Sequence, residues 1–328
     1  MFRALLATAS LAAGILTAPG AALAADTTTP LTAAEMSAAL KGVAGTTAPA
    51  ELPGYGGDLQ VSYSEGGTAQ KGTAKFASDP AHGTGYFSVT GAIGTAGVFA
   101  QAGKGQWIHF NSKNERAAVA MAGHPAARYV FETDTKLTLN DWSNGNLPVP
   151  SLLVVQDAAH AGTKTVHDDG TTDYSYTDDE HLSITFMVNS GGVLTAAKAV
   201  EAGTLDQAFT WNYGPQTITL PTNAQTISVK NLVLALAYLD MAGKVKKAAT
   251  VSAKAVETKS KKKTVKVADL RKWTRSEVTA LNDTFDAKVL LVTDIKGGVR
   301  ISAKNPFTKA AAAWTVTASG KHAVARKA

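Results

Sequence analysis

Between Gly57 and Pro221 apolar residues recur at every second position in short runs. Leu59, Val61 and Tyr63 form one such run; Phe87 and Val89, Ile108 and Phe110, and Tyr129 and Phe131 form others. The longest is Leu182, Ile184, Phe186 and Val188, closed by the turn Asn189-Ser190-Gly191-Gly192 and answered by VLTAAKAV. A period of two puts these side chains on one face of a strand, and Gly-bearing turns between the runs predict an antiparallel meander with one buried face. The Pro-rich stretch 141–162 is too long for a hairpin, and Leu152–Val155 within it is expected to form a short helix crossing the sheet. The last run, FTWNYGPQTITLP, changes phase: Phe209, Trp211 and Tyr213 occupy odd positions, Ile218 and Leu220 even ones. Gly214-Pro215 at the change breaks strand hydrogen bonding and predicts a bulge or corner with the strand continuing beyond it.

Helical spacing brackets the strands. In LTAAEMSAALKGVAG, Thr32 and Glu35 stand at capping-box spacing, Leu31 and Met36 at the spacing of a hydrophobic staple. Met36, Leu40 and Val43 make a stripe, and Gly42 or Gly45 can end the helix. Residues 228–257 predict one helix capped by Ser228, with Leu232, Leu236, Leu239 and Val245 on its apolar side. It leads into KSKKK, 259–263, read as a solvated linker. Thr274 and Glu277 predict another helix start, followed by strands in AKVLLVTD, GVRISAK and AAWTVTA and a frayed basic end.

Composition adds a compartment. The opening 24 residues carry one basic side chain, Arg3, then an apolar run and Ala22-Leu23-Ala24, the pattern of a secretory signal cut after Ala24. A membrane anchor is the weaker alternative, because Pro19 and Gly20 break a short run. The chain contains no cysteine, so an exported form relies on its own core and has no thiol for lipid attachment. Charge is divided: the net +6 hides 20 Lys and Arg against 6 Asp and Glu in residues 241–328. Such a surplus suits anionic envelope polymers or a membrane surface. Nucleic acid is not expected as a partner, since Trp273, Phe285, Phe307 and Trp314 are spaced as core residues rather than as a stacking platform.

Candidate catalytic groups cluster at His167-Asp168-Asp169 and Asp178-Asp179-Glu180-His181. The two clusters bracket the strand TTDYSYT, about 23 Å long at ~3.3 Å per residue, so they lie at opposite ends and read as turn residues rather than a metal site. No nucleophile elbow, Walker loop or dinucleotide-binding glycine pattern is present, which leaves a non-catalytic chain with no cofactor.

The order of an entry helix, a strand meander, a Pro-interrupted crossover and a final TWNYGPQTITLP, with GTKTVHDDGTTDYSY and FMVNSGGVL, resembles the LolA/LppX-like superfamily of envelope lipid and lipoprotein carriers over residues 31–227. The resemblance implies an α+β fold: a curved antiparallel sheet, an open half-barrel plugged by helices, with a lipid or other hydrophobic ligand in the cavity. Candidate ligand-binding residues are then Phe87, Val89, Ile108, Phe110, Tyr129, Phe131, Leu182, Ile184, Phe186, Val188, Phe209 and Trp211. LppX-type relatives commonly carry a lipidated cysteine after the signal; here that place reads Ala-Asp-Thr, which speaks against membrane tethering. VADLRKW and GVRISAKNPFTKAAAAWTVT more faintly resemble the small β domain of pilin-like proteins. The expected domains are a signal, 1–24; a half-barrel, 25–227; a helix and Lys-rich linker, 228–264; and a small basic α/β appendage, 265–328. The rival reading is a structural or adhesion protein of the envelope whose half-barrel is a filled core.

Overall fold

A computed structural model describes residues 26–328 apart from 66–67, 92–93, 156–158 and 262. The expected signal, 1–24, lies outside the described residues. The chain divides into two compact units, one from residues up to His109 with Glu132–Pro221, the other from Phe110–Phe131 with Thr222–Ala328. The division therefore falls at neither 227 nor 264, and residues 110–131, expected inside the half-barrel, belong with the C-terminal part.

The first unit opens with β1 (Thr27–Leu31), α1 (Ala33–Glu51), β2 (Tyr55–Glu65), β3 (Thr68–Asp79), β4 (Thr84–Gly91), β5 (Gly94–Gln101) and β6 (Gly105–His109). The chain then enters the second unit for α2 (Lys113–Met121) and β7 (Tyr129–Thr133), the division falling within β7. It continues with α3 (Leu139–Asn146), α4 (Pro150–Leu153), β8 (Gly162–Val166), β9 (Thr172–Thr177), β10 (Ser183–Val188), β11 (Leu194–Glu201) and β12 (Leu205–Tyr213). Strands of this unit pair antiparallel in the order β1-β8-β9-β10-β11-β12-β2-β3-β4-β5-β6. β1 is one end, and the sheet is not closed. The fold is α+β, with a large, mostly antiparallel sheet as the alternating residues predict.

Register explains the core. Tyr174, Phe186, Ala197, Phe209, Leu59, Ala74 and Val89 stand opposite one another across six ladders. A second row runs Trp211, Gly57, Phe76, Phe87, Val98 and Ile108. A side chain on Gly57 would meet the Thr210 carbonyl at 2.0 Å and the Phe76 ring at 2.7 Å. Glycine there lets the aromatic rings of Trp211 and Phe76 come within 6.4 Å across the strand between them. Phe209 stacks on Trp211 at 5.4 Å.

The phase change after Tyr213 ends β12; it does not bend it. The Gly214 N–H donates to the Gly54 carbonyl at 2.9 Å, and residues 214–221 are irregular, with Ile218 and Leu220 half-buried. α1 shows both bonds of the capping box: Glu35 N–H to Thr32 Oγ1 at 3.3 Å, Thr32 N–H to Glu35 Oε2 at 2.8 Å. It runs past Gly42 and Gly45, the expected stops, to Glu51. Its stripe continues through buried Thr47, whose hydroxyl oxygen accepts from Leu194 N–H at 3.1 Å, and packing of that stripe outweighs the glycine cost.

In the second unit β13 (Thr226–Ser228) pairs parallel with β7 through Thr226–Tyr129, Ile227–Val130 and Ser228–Phe131. α5 (Val229–Tyr238), α6 (Met241–Lys259) and α7 (Val267–Thr284) precede an antiparallel sheet of β14 (Leu291–Ile295), β15 (Gly298–Lys304), β16 (Ala311–Ser319) and β17 (His322–Lys327). The expected single helix 228–257 is two helices. Asp240 adopts a left-handed conformation (φ 51°) and caps α6 by accepting from Gly243 N–H at 3.3 Å. Lys244 reaches back to the carbonyls of Leu236 and Ala237 at 3.0 and 2.6 Å, closing the end of α5, and lies 4.8 Å from the centre of the Phe285 ring. Burial pushes its ammonium below the usual lysine range, while Asp240 partly restores it.

Of KSKKK, Lys259 closes α6, and the described residues after it form the short solvated turn to α7 rather than a linker between domains. Lys259 pairs with Glu277 at 3.1 Å, and α6 supplies Val245, Ala248, Ala249 and Val256 to a core shared with Leu270, Val299, Ile301 and Val316. α7 starts at Val267, so Thr274 is a buried interior residue rather than its cap. The basic end, expected to fray, is β17, paired with β16 from Trp314–Lys327 to Ser319–His322.

Candidate functional site

The segment from α3 to Val155 crosses one part of the first unit's core without forming a strand. Thr138 caps α3, its hydroxyl accepting from Asp141 N–H at 3.1 Å. Trp142 follows in the first turn and lies over Gly85, where a Cβ would meet the indole at 2.2 Å. Val149 is extended, as a residue before proline must be, and Pro150 starts α4. Two bonds pin the crossing: Trp211 Nε1–H donates to the Pro148 carbonyl at 3.0 Å, and Ser151 donates its N–H (2.6 Å) and hydroxyl (2.9 Å) to the Glu51 carboxylate at the end of α1. Burial raises the Glu51 carboxyl above its ordinary value, the two bonds from Ser151 opposing that rise. Burial likewise raises the phenols of Tyr55 and Tyr213, whose hydroxyl donates to the Leu194 carbonyl.

Between this crossing and the sheet lies a pocket of about 310 Å³. Leu59, Phe87, Gln207 and Phe209 line the sheet side; Leu147, Pro148, Val149, Leu152 and Leu153 line the other. Such a volume sits at the lower end of the range for small-molecule sites. Leu152 is 54% exposed and Val155 51%, leaving two aliphatic side chains in solvent at this segment. Gln207, 1% exposed, is the one polar side chain on the sheet side of the lining.

Of the twelve residues expected to face a ligand, Phe87 and Phe209 line the pocket. Val89, Ile184, Phe186, Val188 and Trp211 belong to the same core without reaching it. Leu182 precedes β10 and is half-buried, and Ile108 is 38% exposed. Phe110 belongs to the other unit, in a cluster with Val119, Ala127, Ile227 and Leu232. Tyr129 and Phe131 are half-buried on β7, where Val130 is the residue that packs against that cluster. The pairing of Ile108 with Phe110 and of Tyr129 with Phe131 as inward residues is thus not what the structure shows, because β6 ends at His109 and the chain changes unit.

The crossing was expected as a short helix at Leu152–Val155, and α4 forms at Pro150–Leu153, but the part its residues and Leu147–Val149 play as the far wall of the pocket was not foreseen. Its signal was compositional: Leu147, Val149, Leu152 and Leu153 around Pro148 and Pro150 are too apolar for a solvated loop. The acid and histidine clusters serve turns. Asp169 accepts from Thr171 N–H at 2.8 Å, and Asp178 from Glu180 and Leu182 N–H, both at 2.9 Å. His167 stands 2.9 Å from Asp26 and 3.3 Å from Asp173, which raise its imidazole above the ordinary value. Among the described residues no group of three or more His, Asp or Glu is placed to hold a metal ion.

Comparison of the chain with protein-family models gives no match, and comparison with curated proteins gives none. No family is shown. Among the described residues no helix is long and apolar enough to cross a membrane.

Proposed function

We propose that this is an exported, non-catalytic carrier whose first unit, a half-barrel with α1, α3 and α4 on its concave side, holds one small hydrophobic ligand such as a single acyl chain. The observation that carries this reading is the pocket of about 310 Å³ walled by Leu59, Phe87, Phe209 and the 147–153 crossing. The pocket is partly open to solvent, with the lining residue Leu152 54% exposed, so an apolar ligand has a way in. Its volume suits one chain and excludes the several acyl chains of a whole lipoprotein anchor. The resemblance to LolA/LppX-like carriers supports the same assignment.

The test is displacement of a fluorescent medium-chain fatty acid from the full-length protein, with native mass spectrometry of material purified from its own host. Leu152→Asp places a charge on an exposed pocket residue and is expected to weaken probe binding at least tenfold with an unchanged melting temperature. Phe87→Trp, which fills the pocket, should do the same. If the wild type binds no probe and carries no apolar molecule, the half-barrel is a filled scaffold and the structural or adhesion reading replaces this one.

A further inference from the structure

The sheet β14–β17 turns one face to α6 and α7 and the other to solvent. Val299, Ile301, Val316 and Ala323 are buried on the helix side. Alternation along each strand therefore places Thr293, Arg300, Thr315 and Arg326 on the opposite face. The register puts these four in a single row across all four strands. Arg300 and Arg326 flank Thr315 from either side, two strand spacings or about 10 Å apart at their Cα atoms. Both arginines are exposed, and among the described residues neither side chain has a hydrogen bond or an ion pair.

Acidic side chains are missing from the outward positions of these strands. The four strands contain one acidic residue, Asp294. It occupies a helix-side position, where Arg275 and Arg271 reach it at 2.6 and 3.6 Å. Further bases extend the row along the strand direction. Lys304 shares the outward face of β15 four residues beyond Arg300, about 13 Å at ~3.3 Å per residue. Lys296 and Lys321 sit in the β14–β15 and β16–β17 turns, at the other end of the sheet. Between Arg300 and Lys304 a shallow hollow of about 330 Å³ lies over Ser302, Ala311 and Ala313, with Leu291 and Ala328 also in its lining.

These features select an occupant. Unopposed guanidinium forks match the paired oxygens of a phosphate or carboxylate. A bilayer surface asks for several apolar side chains that insert; this face offers one large exposed aliphatic, Leu291, opposite Ser302 and 58% exposed, beside the small Ala311 and Ala313. Single-stranded nucleic acid asks for aromatic platforms, and the outward positions of these strands hold none. A strip four strands wide, basic at both ends and in the middle, fits a narrow chain whose charges repeat along its length. We propose that the outward face of β14–β17 is a binding track for a linear polymer of repeating phosphate groups. Arg300 and Arg326 grip one short stretch of the chain, and Lys304 and Lys296 meet phosphates several units further along it on either side. This narrows the broad anionic affinity expected of residues 241–328 to one surface and one chemistry, and it stands independently of the apolar pocket.

The experiment titrates full-length protein with long-chain polyphosphate by calorimetry over a salt series. Arg300→Gln with Arg326→Gln is expected to lower affinity at least tenfold and to reduce the slope of log K against log salt by about two. Lys247→Gln with Lys254→Gln, on the exposed side of α6, removes the same charge elsewhere and is expected to change affinity less than twofold. Circular dichroism confirms that both variants fold. Equal losses in the two variants would show attraction to net charge alone and overturn the assignment, as would a wild type that does not bind polyphosphate. Tighter arginine-dependent binding to anionic phospholipid vesicles or to single-stranded DNA, at equal phosphate concentration, would also overturn it in favour of that class.

Discussion

Glu51 shows how one side chain ties the pocket's outer wall to the rest of its unit. Its carboxylate receives both donors of Ser151 at the start of α4, yet burial holds its proton affinity above that of a free glutamate. The sign of the pH effect follows. A carboxyl whose folded value is raised binds more protons in the native state, so stability is full below the unfolded value and falls as pH rises through the folded one. Glu51→Gln removes that titration. Urea denaturation of both proteins from pH 4 to 8 is expected to show the wild type losing stability relative to the glutamine variant as pH rises. A difference constant across the range would mean the carboxyl titrates alike in both states. Residues on the regular faces were legible beforehand: Met36, Leu40, Val43, Phe186, Phe209 and Trp211 are buried as their spacing requires. Glu51 and Trp142 were not, since each owes its place to a partner far along the chain, Ser151 and Gly85, rather than to periodicity; Gln207 shares the buried phase of Phe209 and Trp211, but its polarity kept it out of the expected core.

Helices and strands were read best where a local bond marks an end. The capping box of Thr32 and Glu35 was visible in four residues, whereas the equivalent Ser112–Glu115 box of α2 passed unnoticed inside a region read as strands. The break between α5 and α6 was invisible to apolar spacing, because Leu236, Leu239 and Val245 fit one continuous stripe and the decision rests on Asp240. Its carboxylate caps α6 from a left-handed backbone that few non-glycine residues adopt. Asp240→Ala is expected to cost about 1–2 kcal/mol in chemical denaturation, from the lost cap and the strained backbone together. Asp240→Asn, which keeps the acceptor and tolerates the same conformation, should stay within about 0.5 kcal/mol of wild type. Equal losses would place the cost in charge and not in capping.

Across the whole molecule, alternation along residues 57–221 conveyed the antiparallel sheet and the α+β class but not the partition of the chain. Residues 110–131 leave the first unit and bring Phe110, Val119 and Ala127 to Ile227 and Leu232, a contact between segments too distant for any local pattern to announce. A protein cut after Pro221, the last residue of the first unit, would therefore keep α2 and lose the residues that cover it. Such a truncation is expected to bind an apolar dye and to oligomerise at micromolar concentration, whereas a shortened chain that also replaces 110–131 by a brief polar loop should not. Similar behaviour of the two would show that the cluster contributes little to solubility. The open sheet carries a related liability at β1, its end strand, since unpaired backbone groups there are a template for further chains. Four of the five residues of β1 are exposed, and one of them is Pro30, which has no N–H to offer. Pro30 stands opposite Thr163 in the ladder with β8 and brings no N–H to this strand. Proline in an end strand is one of the devices by which an open sheet resists growing from molecule to molecule into fibrils.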